Sequence, residues 1–292
     1  MSHPQVRLGC VVTPDLHPRG FLEVAHAAER GGLEELWLWE DCLKQSAVAT
    51  AGAILGATTQ LRVGIGILPV PLRNAALSAM DLATLAEMFP GRLVAGLGHG
   101  VQESMADVGA RAASPLTLLE EHVAAVRALL GGERISCDGR YVRLREAALA
   151  WPPAAVPPVY VGGVGPMTLR LAGAVGDGVI LALGTSPDEL RTGLQIIAEE
   201  RVAAGRFEPF GACVYVGLDR GVRDAGARAT ADHLTRWVDA GATTVGVVPV
   251  GPDGEPDMNE VAEIAGWLGA SVRPLLTSRT AGASSRARPQ SR

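Results

Sequence analysis

The sequence comprises 292 residues with a formal charge of −5, and its length suits one α/β barrel domain, a fold that typically takes ~250 residues. Hydrophobic residues make up 48% of the chain and aromatic residues only 4%, which predicts a large core of aliphatic side chains. The mild acidity argues against nucleic-acid binding, because contacts with phosphates need clustered Lys and Arg.

Apolar runs alternate with amphipathic segments along the whole chain. The apolar runs predict buried strands at residues 7–12, 35–39, 61–68, 92–97, 159–161, 178–183, 212–218 and 243–250. Helical periodicity predicts helices at residues 21–30, 47–58, 74–88, 115–130, 187–204, 225–240 and 261–276, with a further helix that starts at residue 166. Eight strands that alternate with helices predict an α/β fold, a (β/α)8 TIM barrel formed by one domain over residues 1–276. A doubly wound open sheet uses the same elements and is the alternative.

Three segments lie outside this repeat. Residues 101–113 are predicted to form a long connection, and residues 133–150 a small hairpin insertion around an Asp-Gly turn. The basic tail at residues 277–292 has no apolar period and is expected to be disordered.

Two helix starts carry capping signals. Ser114 stands directly before Pro115 and is predicted to cap the helix that follows. Ser186 and Glu189 have the spacing of a capping box, in which each side chain bonds the backbone N–H of the other residue.

The glycine-rich turn after the fifth strand is the main candidate for ligand binding. Gly162, Gly163 and Gly165 follow the strand, and Pro166 and Met167 begin the next helix. Such a turn presents backbone N–H groups and the positive end of a helix dipole to an anion, so we interpret it as the site that binds the phosphate group of a cofactor. A tight turn that needs glycines only for its shape is the alternative.

Polar candidates at the other strand ends are few. His99 lies between two glycines after the fourth strand, and Glu40 and Asp41 follow the second strand. These three residues are the candidates for acid/base catalysis, because barrel active sites form at the carboxyl ends of the strands. Alternatively, His99 only shapes its loop, and Glu40 and Asp41 form a rim pair or cap the next helix.

Other kinds of site find little support. No metal site is predicted, because His17, Asp41 and His99 lie on three loops without diagnostic spacing. The sequence has no GxSxG motif, and the single lysine, Lys44, does not end a strand, which argues against a serine hydrolase and a Schiff-base enzyme. A site built from backbone and apolar groups remains, which suits a flat conjugated ring with a phosphate tail.

Cysteine usage and the N-terminus indicate an intracellular protein. The four cysteines are far apart, without CxxC spacing, and are expected to be reduced thiols. The N-terminus has no apolar signal region and no run of ~18 apolar residues occurs, so we expect a cytoplasmic protein without a membrane span.

The order of the motifs resembles the luciferase-like monooxygenase family, especially its members that use the deazaflavin coenzyme F420. The resemblance covers roughly residues 5–270 and depends on EELWLWED (34–41), LRVGIGILPVPLRN (61–74), GRLVAGLGHG (91–100) and VYVGGVGP (159–166) with GDG (176–178). It implies a (β/α)8 barrel with a flavin or deazaflavin ring at its mouth and the phosphate-bearing tail on the turn at 162–167. Members of this family often have a non-proline cis peptide behind the ring, which here falls near residues 65–67. The residues implied to bind the cofactor are Glu40, Ile65, Gly66, Ile67, Gly98, His99, Gly100, Val101, Gly162, Gly163, Gly165, Pro166 and Met167.

The function implied is that of an F420-dependent oxidoreductase, which transfers hydride between the reduced deazaflavin and a small organic substrate. The implied assembly is a homo-oligomer, expected to be a dimer. The first alternative is an FMN-dependent two-component monooxygenase supplied by a separate reductase. A cofactor-binding protein without turnover and a phosphate-binding isomerase barrel are further alternatives.

Three features depart from the family pattern. Many relatives end the second strand with Asp-His, where this chain has Glu40-Asp41. The sugar-phosphate dehydrogenase branch has a proton-donating Glu where this chain has Val101, and Glu103 lies two residues further on. The segment at 219–225, which in relatives is long and forms part of a lid, is short, so the insertions are shortened here.

Overall fold

Ten strands occur in the computed structural model of the protein, which describes residues 6–276. They are β1 (Arg7–Val12), β2 (Glu35–Leu38), β3 (Arg62–Pro69), β4 (Leu93–Gly98), β5 (Ile135–Asp138), β6 (Arg143–Ala147), β7 (Val159–Gly162), β8 (Gly178–Leu181), β9 (Gly211–Leu218) and β10 (Thr244–Pro249). All except β5 and β6 are parallel and close into a barrel in the order β1-β10-β9-β8-β7-β4-β3-β2. The predicted (β/α)8 TIM barrel is therefore confirmed, and the open sheet is excluded.

The helices surround this barrel. They are α1 (Phe21–Gly31), α2 (Ala47–Ala57), α3 (Ala75–Met88), α4 (Gln102–Asp107), α5 (Pro115–Leu130), α6 (Pro166–Val175), α7 (Pro187–Ala203), α8 (Arg220–Asp224), α9 (Ala227–Asp239) and α10 (Val261–Trp267). After α10 the chain continues as a π-helical turn, Leu268–Val272. The prediction missed α4 and α8, because six and five residues are too few to show an apolar period.

One of the two predicted helix caps differs from expectation. The capping box before α7 is confirmed, since Ser186 Oγ accepts from the Glu189 N–H and the Glu189 carboxylate accepts from the Ser186 N–H. Ser114 does precede α5, but its hydroxyl lies 2.8 Å from Thr117 Oγ1 and makes no cap bond with the backbone. The nearby hydroxyl therefore competes successfully with the backbone N–H groups.

The barrel separates the core into two layers. An aliphatic layer, which includes Leu36 and Leu38, lies between the strands and the helices. Trp37 and Trp39 alternate with these leucines and pack inside the barrel with Tyr215. Glycine at position 64 leaves the space for the indole, because a Cβ atom there would lie 2.3 Å from Trp37 Cε3.

A small antiparallel hairpin lies outside the barrel. Strands β5 and β6 pair antiparallel outside the barrel, as expected for the hairpin insertion. In the part of the chain from residue 6 to residue 276, no helix is long and apolar enough to cross a membrane. The predicted basic tail at 277–292 lies outside the described residues.

Candidate active site at the barrel mouth

The carboxyl ends of β3, β4 and β7 meet at the mouth of the barrel. Gly98 at the end of β4 is in register with Gly162 at the end of β7. The Ile67 side chain lies against both glycines, since a Cβ atom would be 2.3 Å from Ile67 Cγ2 at position 162 and 2.9 Å from Ile67 Cγ1 at position 98. Gly98 and Gly162, from two of the predicted glycine motifs, thus leave room for the Ile67 side chain of the third motif.

The end of β3 leaves the regular ladder at this junction. The register with β4 shifts between Ile65 and Leu68, so the two residues between them make no regular pair. The Gly66–Ile67 peptide is cis, as the family resemblance implied for residues 65–67. Ile65 and Gly66 are buried and Ile67 is half-buried, so Ile67 is the residue of the three with a side chain partly open to solvent.

The turn after β7 contains an open cradle for an anion. No side chain caps α6, and no described residue accepts a hydrogen bond from the backbone N–H groups of Met167 and Thr168. A Cβ atom at position 165 would have no neighbour within 4 Å apart from the adjoining residues, so no other part of the protein crowds this side of the turn. Unpaired N–H groups at a helix N-terminus attract a negative charge, and the arrangement fits a phosphate group.

Gly163 has a different role from Gly165. Its N–H donates to Ile180 O at 3.1 Å, and its φ is +156°. A Cβ atom at this position would lie 2.6 Å from Thr168 Cγ2. The close approach of α6 therefore requires glycine at position 163. At position 165 a side chain would meet no other part of the protein, so the packing does not require glycine there.

The His99 ring is oriented by its own loop. Its Nδ1 lies 2.8 Å from Gly100 O, and since a carbonyl oxygen can only accept, Nδ1 carries the proton. Gln102 donates to His99 O at 3.2 Å and steadies the turn, in which Gly100 has a φ of +68°. His99 is half-buried, and Nε2 has no hydrogen-bond partner among residues 6–276. This nitrogen can accept a proton from, or hydrogen-bond to, a ligand.

The Glu40 carboxylate is occupied by protein groups. Both oxygens accept hydrogen bonds from Arg73, one of them at 3.0 Å, and Oε2 also accepts from the Ala47 N–H at 2.7 Å. Glu40 is only 6% exposed. These contacts agree with the helix-cap interpretation, and the role of Glu40 toward a cofactor or in catalysis remains a prediction.

Asp41 is more accessible than Glu40. Its Oδ1 accepts from the Cys42 N–H at 2.9 Å, and the side chain is half-buried. Asp41 also lines an open cavity of about 340 Å³ together with Lys44 and Arg73. Its catalytic assignment likewise stays a prediction.

Two side chains near the site were not anticipated. Arg73 holds Glu40, and Tyr215 donates from its hydroxyl to Gly66 O at 3.2 Å. Tyr215 does have the strand parity of a barrel-interior residue, but the sequence contains no signal for a partner 149 positions away.

A large cavity lies on the other side of the mouth. It has a volume of about 820 Å³ at the ends of β9 and β10 and is lined by Asp219, Arg220, Asp257 and Glu260 among others. None of the residues predicted to bind the cofactor lines it. Over the described range, no group of three His, Cys, Asp or Glu side chains is arranged to hold a metal ion.

Comparison with known sequences relates the chain to one family. The family model described as luciferase-like monooxygenase matches residues 4–287. The chain is 32% identical over 188 residues to a 5,10-methylenetetrahydromethanopterin reductase of Methanolobus tindarius. The aligned region covers 63% of this chain and 57% of the relative. The chain is also 30% identical over 202 residues to an F420-dependent glucose-6-phosphate dehydrogenase of Nakamurella multipartita, with 64% and 59% covered. The chain thus matches little more than half the length of each relative.

Solved structures share the architecture. An F420-dependent secondary alcohol dehydrogenase in complex with an F420–acetone adduct superposes with a TM-score of 0.81 at 20% identity, covering 93% of this chain and 99% of that one. The coenzyme F420-dependent tetrahydromethanopterin reductase from Methanopyrus kandleri gives 0.80 at 19% identity with the same coverage. At this identity the likeness establishes the fold.

Proposed function

Since the chain belongs to the luciferase-like monooxygenase family, as its motifs indicated, we propose that it functions as a coenzyme F420-dependent oxidoreductase. The observation that carries the proposal is the convergence of Ile67, Gly98 and Gly162 beside an open, anion-attracting helix start. A flat ring with a phosphate-bearing tail requires these two features next to each other. The name of the glucose-6-phosphate dehydrogenase relative and the names of the two solved structures include F420, which supports F420 over FMN.

Each part of the site has a proposed task toward the cofactor. Ile67 supports the ring, and the loop from Gly98 to Val101 borders it. Gly165, with the N–H groups of Met167 and Thr168, receives the phosphate of the tail. When bound, F420 exchanges a hydride with the substrate, and the protein orients the ring and keeps water away.

His99 is the residue we propose for proton transfer. Its protonated Nδ1 is held by Gly100 O, which leaves Nε2 to take the proton from a substrate hydroxyl or to return it to a carbonyl oxygen. Glu40 is less suited to this task, because Arg73 and the Ala47 N–H already occupy its oxygens.

The substrate is proposed to be a small organic molecule other than a sugar phosphate. Val101 is 60% exposed and offers no carboxylate where sugar-phosphate dehydrogenases are expected to have one. Glu103 lies in the first turn of α4 and is exposed.

Parallel titrations of the purified protein with F420 and with FMN test the proposal. We expect F420 to bind more tightly, and tight binding of FMN alone would exclude the deazaflavin assignment. Incubation of the complex of protein and reduced F420 with small ketones and aldehydes, followed by cofactor absorbance, then tests turnover. Binding without oxidation of the cofactor would favour a binding protein. Sedimentation velocity on the same sample tests the expected homodimer.

A further inference from the structure

Tyr215 connects two opposite sides of the barrel. It lies on β9, and in the order of the strands β9 is four positions from β3 in either direction. Its hydroxyl donates to Gly66 O of β3 at 3.2 Å. The contact is possible because residue 66 is glycine, since a Cβ atom there would lie 2.0 Å from Tyr215 Oη.

The hydrogen bond lies where the regular pairing of β3 is interrupted. The pairing of β3 with β2 ends at Ile65, and the register with β4 resumes only at Leu68. Gly66 is buried between these limits. A buried carbonyl outside the ladders needs another donor, and the Tyr215 hydroxyl is the donor that the structure provides.

The position of Gly66 O determines where the next residue lies. Ile67 follows directly and lies against Gly98 and Gly162, where we propose that the cofactor ring is supported. Tyr215 itself is 4% exposed and is fixed by ring contacts with Trp37 and Trp39, at centroid distances of 6.1 and 6.5 Å. A rigid side chain thus holds an irregular backbone segment.

We propose that Tyr215 is a positioning residue for the cofactor ring: its hydroxyl fixes Gly66 O and thereby places Ile67 at the mouth. The inference builds on the proposed function, because it assumes that the ring lies against Ile67. Tyr215 does not touch the cofactor in this arrangement, and it acts through the end of β3.

The test is the Tyr215→Phe variant, which removes one oxygen atom and retains the aromatic contacts. We expect its dissociation constant for F420 to rise about tenfold, which corresponds to about 1.4 kcal/mol. The circular dichroism that the protein induces in the bound chromophore should change as well, because the ring is oriented differently. Near-ultraviolet dichroism without cofactor should stay close to that of the wild type.

Tyr160→Phe is the matched control. Tyr160 packs against Trp37 in the same interior layer, but its hydroxyl lies near Gly211 at the start of β9, away from the mouth. This variant should bind F420 like the wild type.

The outcomes separate the two proposals. Equal F420 affinity and equal induced dichroism in Tyr215→Phe and wild type would overturn the positioning role alone, as would an equal loss in both variants. A wild-type protein that binds neither F420 nor FMN would overturn the proposed function and this inference together.

Discussion

The Ile67 side chain packs directly on Gly162 and leaves no room for a side chain at position 162: a Cβ atom there would be 2.3 Å from Ile67 Cγ2. The two residues are 95 positions apart in the chain and belong to β3 and β7, which are separated in the barrel by β4. Glycine at position 162 thus leaves the space that the Ile67 side chain of another motif occupies. The motifs form one structural unit at the barrel mouth.

This contact predicts a non-additive pair of substitutions. Gly162→Ala should lower the free energy of unfolding by about 1–3 kcal/mol, because the added methyl group overpacks the junction. In an Ile67→Ala background the same change should cost little, since the clashing Cγ atoms are gone. Urea denaturation of the four proteins measures the coupling. Additive losses would show that Ile67 does not contact position 162 in solution.

The phosphate cradle is tested at Gly165 rather than at Gly163. Gly165→Leu places a side chain in the open space before α6, and the φ of −72° accommodates any residue. We expect a loss of F420 affinity of about tenfold or more, as for a removed charge-assisted contact, with little change in melting temperature. Gly163 is unsuitable because a Cβ atom would strike Thr168, so stability would change too.

Gly56→Leu is the control for this prediction. Gly56 is exposed on α2, and a Cβ atom there would have its nearest neighbour, Phe89 Cζ, at 3.9 Å. Its affinity for F420 should equal that of the wild type. Unchanged affinity in a folded Gly165→Leu protein would instead mean that the turn only connects β7 with α6.

The role of His99 is tested by His99→Asn. The Asn amide can donate to Gly100 O as Nδ1 does, but it lacks a group in the place of Nε2. If Nε2 transfers a proton, kcat should fall by about 10²–10⁴-fold while F420 affinity stays nearly constant. A variant with wild-type turnover would assign His99 to loop structure alone. His99→Gln serves as comparison, because its amide can reach toward the Nε2 position.

Much of the fold and part of the site follow from local signals in the sequence. Buried parallel strands are mostly apolar, so their number and order were predictable, and with them the barrel. The glycine turn at 162–165 is equally visible. The cis peptide between Gly66 and Ile67 was placed by the family resemblance, since no local pattern indicates it.

The remaining parts of the site depend on distant partners. Glu40 looks like a free mouth carboxylate until Arg73, 33 positions away, is seen to bind it. The hydrogen bond of Tyr215 spans 149 positions. Ser114 prefers the neighbouring hydroxyl of Thr117 to a backbone N–H, a choice between similar energies that propensity does not decide. The contacts of Glu40 and Tyr215, by contrast, form only when the barrel has closed.

The contact between Glu40 and Arg73 predicts a strong coupling. Glu40→Ala should lower the free energy of unfolding by about 3–5 kcal/mol, because it leaves the largely buried Arg73 without its partner. Arg73→Ala should cost a similar amount, and the double variant less than the sum. Denaturation measures all three. If catalysis needs the Glu40 carboxylate itself, Glu40→Gln should lose turnover and Arg73→Met should retain it. An equal loss of turnover in both variants would assign Glu40 to structure.

His122 should make the protein sensitive to acid. It is 1% exposed on α5, and its Nε2 lies 3.0 Å from Ser78 Oγ of α3. Burial, together with the positive charge of Arg73, lowers its pKa from 6.5 to about 4. The unfolded chain therefore binds a proton below about pH 6.5 that the folded chain refuses until about pH 4, and stability must fall as the pH decreases through this window.

The size of this effect follows from the shift in pKa. Between pH 7 and pH 4 the His122 contribution to the free energy of unfolding should fall by about 3 kcal/mol. His122→Gln can still bond to Ser78 but does not titrate, so its stability should decline less than that of the wild type by this amount. Urea denaturation of both proteins at pH 7, 5.5 and 4 measures the difference. If the free energy of unfolding depended on pH equally in the two proteins, His122 would not be buried in its neutral form. Only a group whose pKa differs between the folded and unfolded states makes the free energy of unfolding depend on pH.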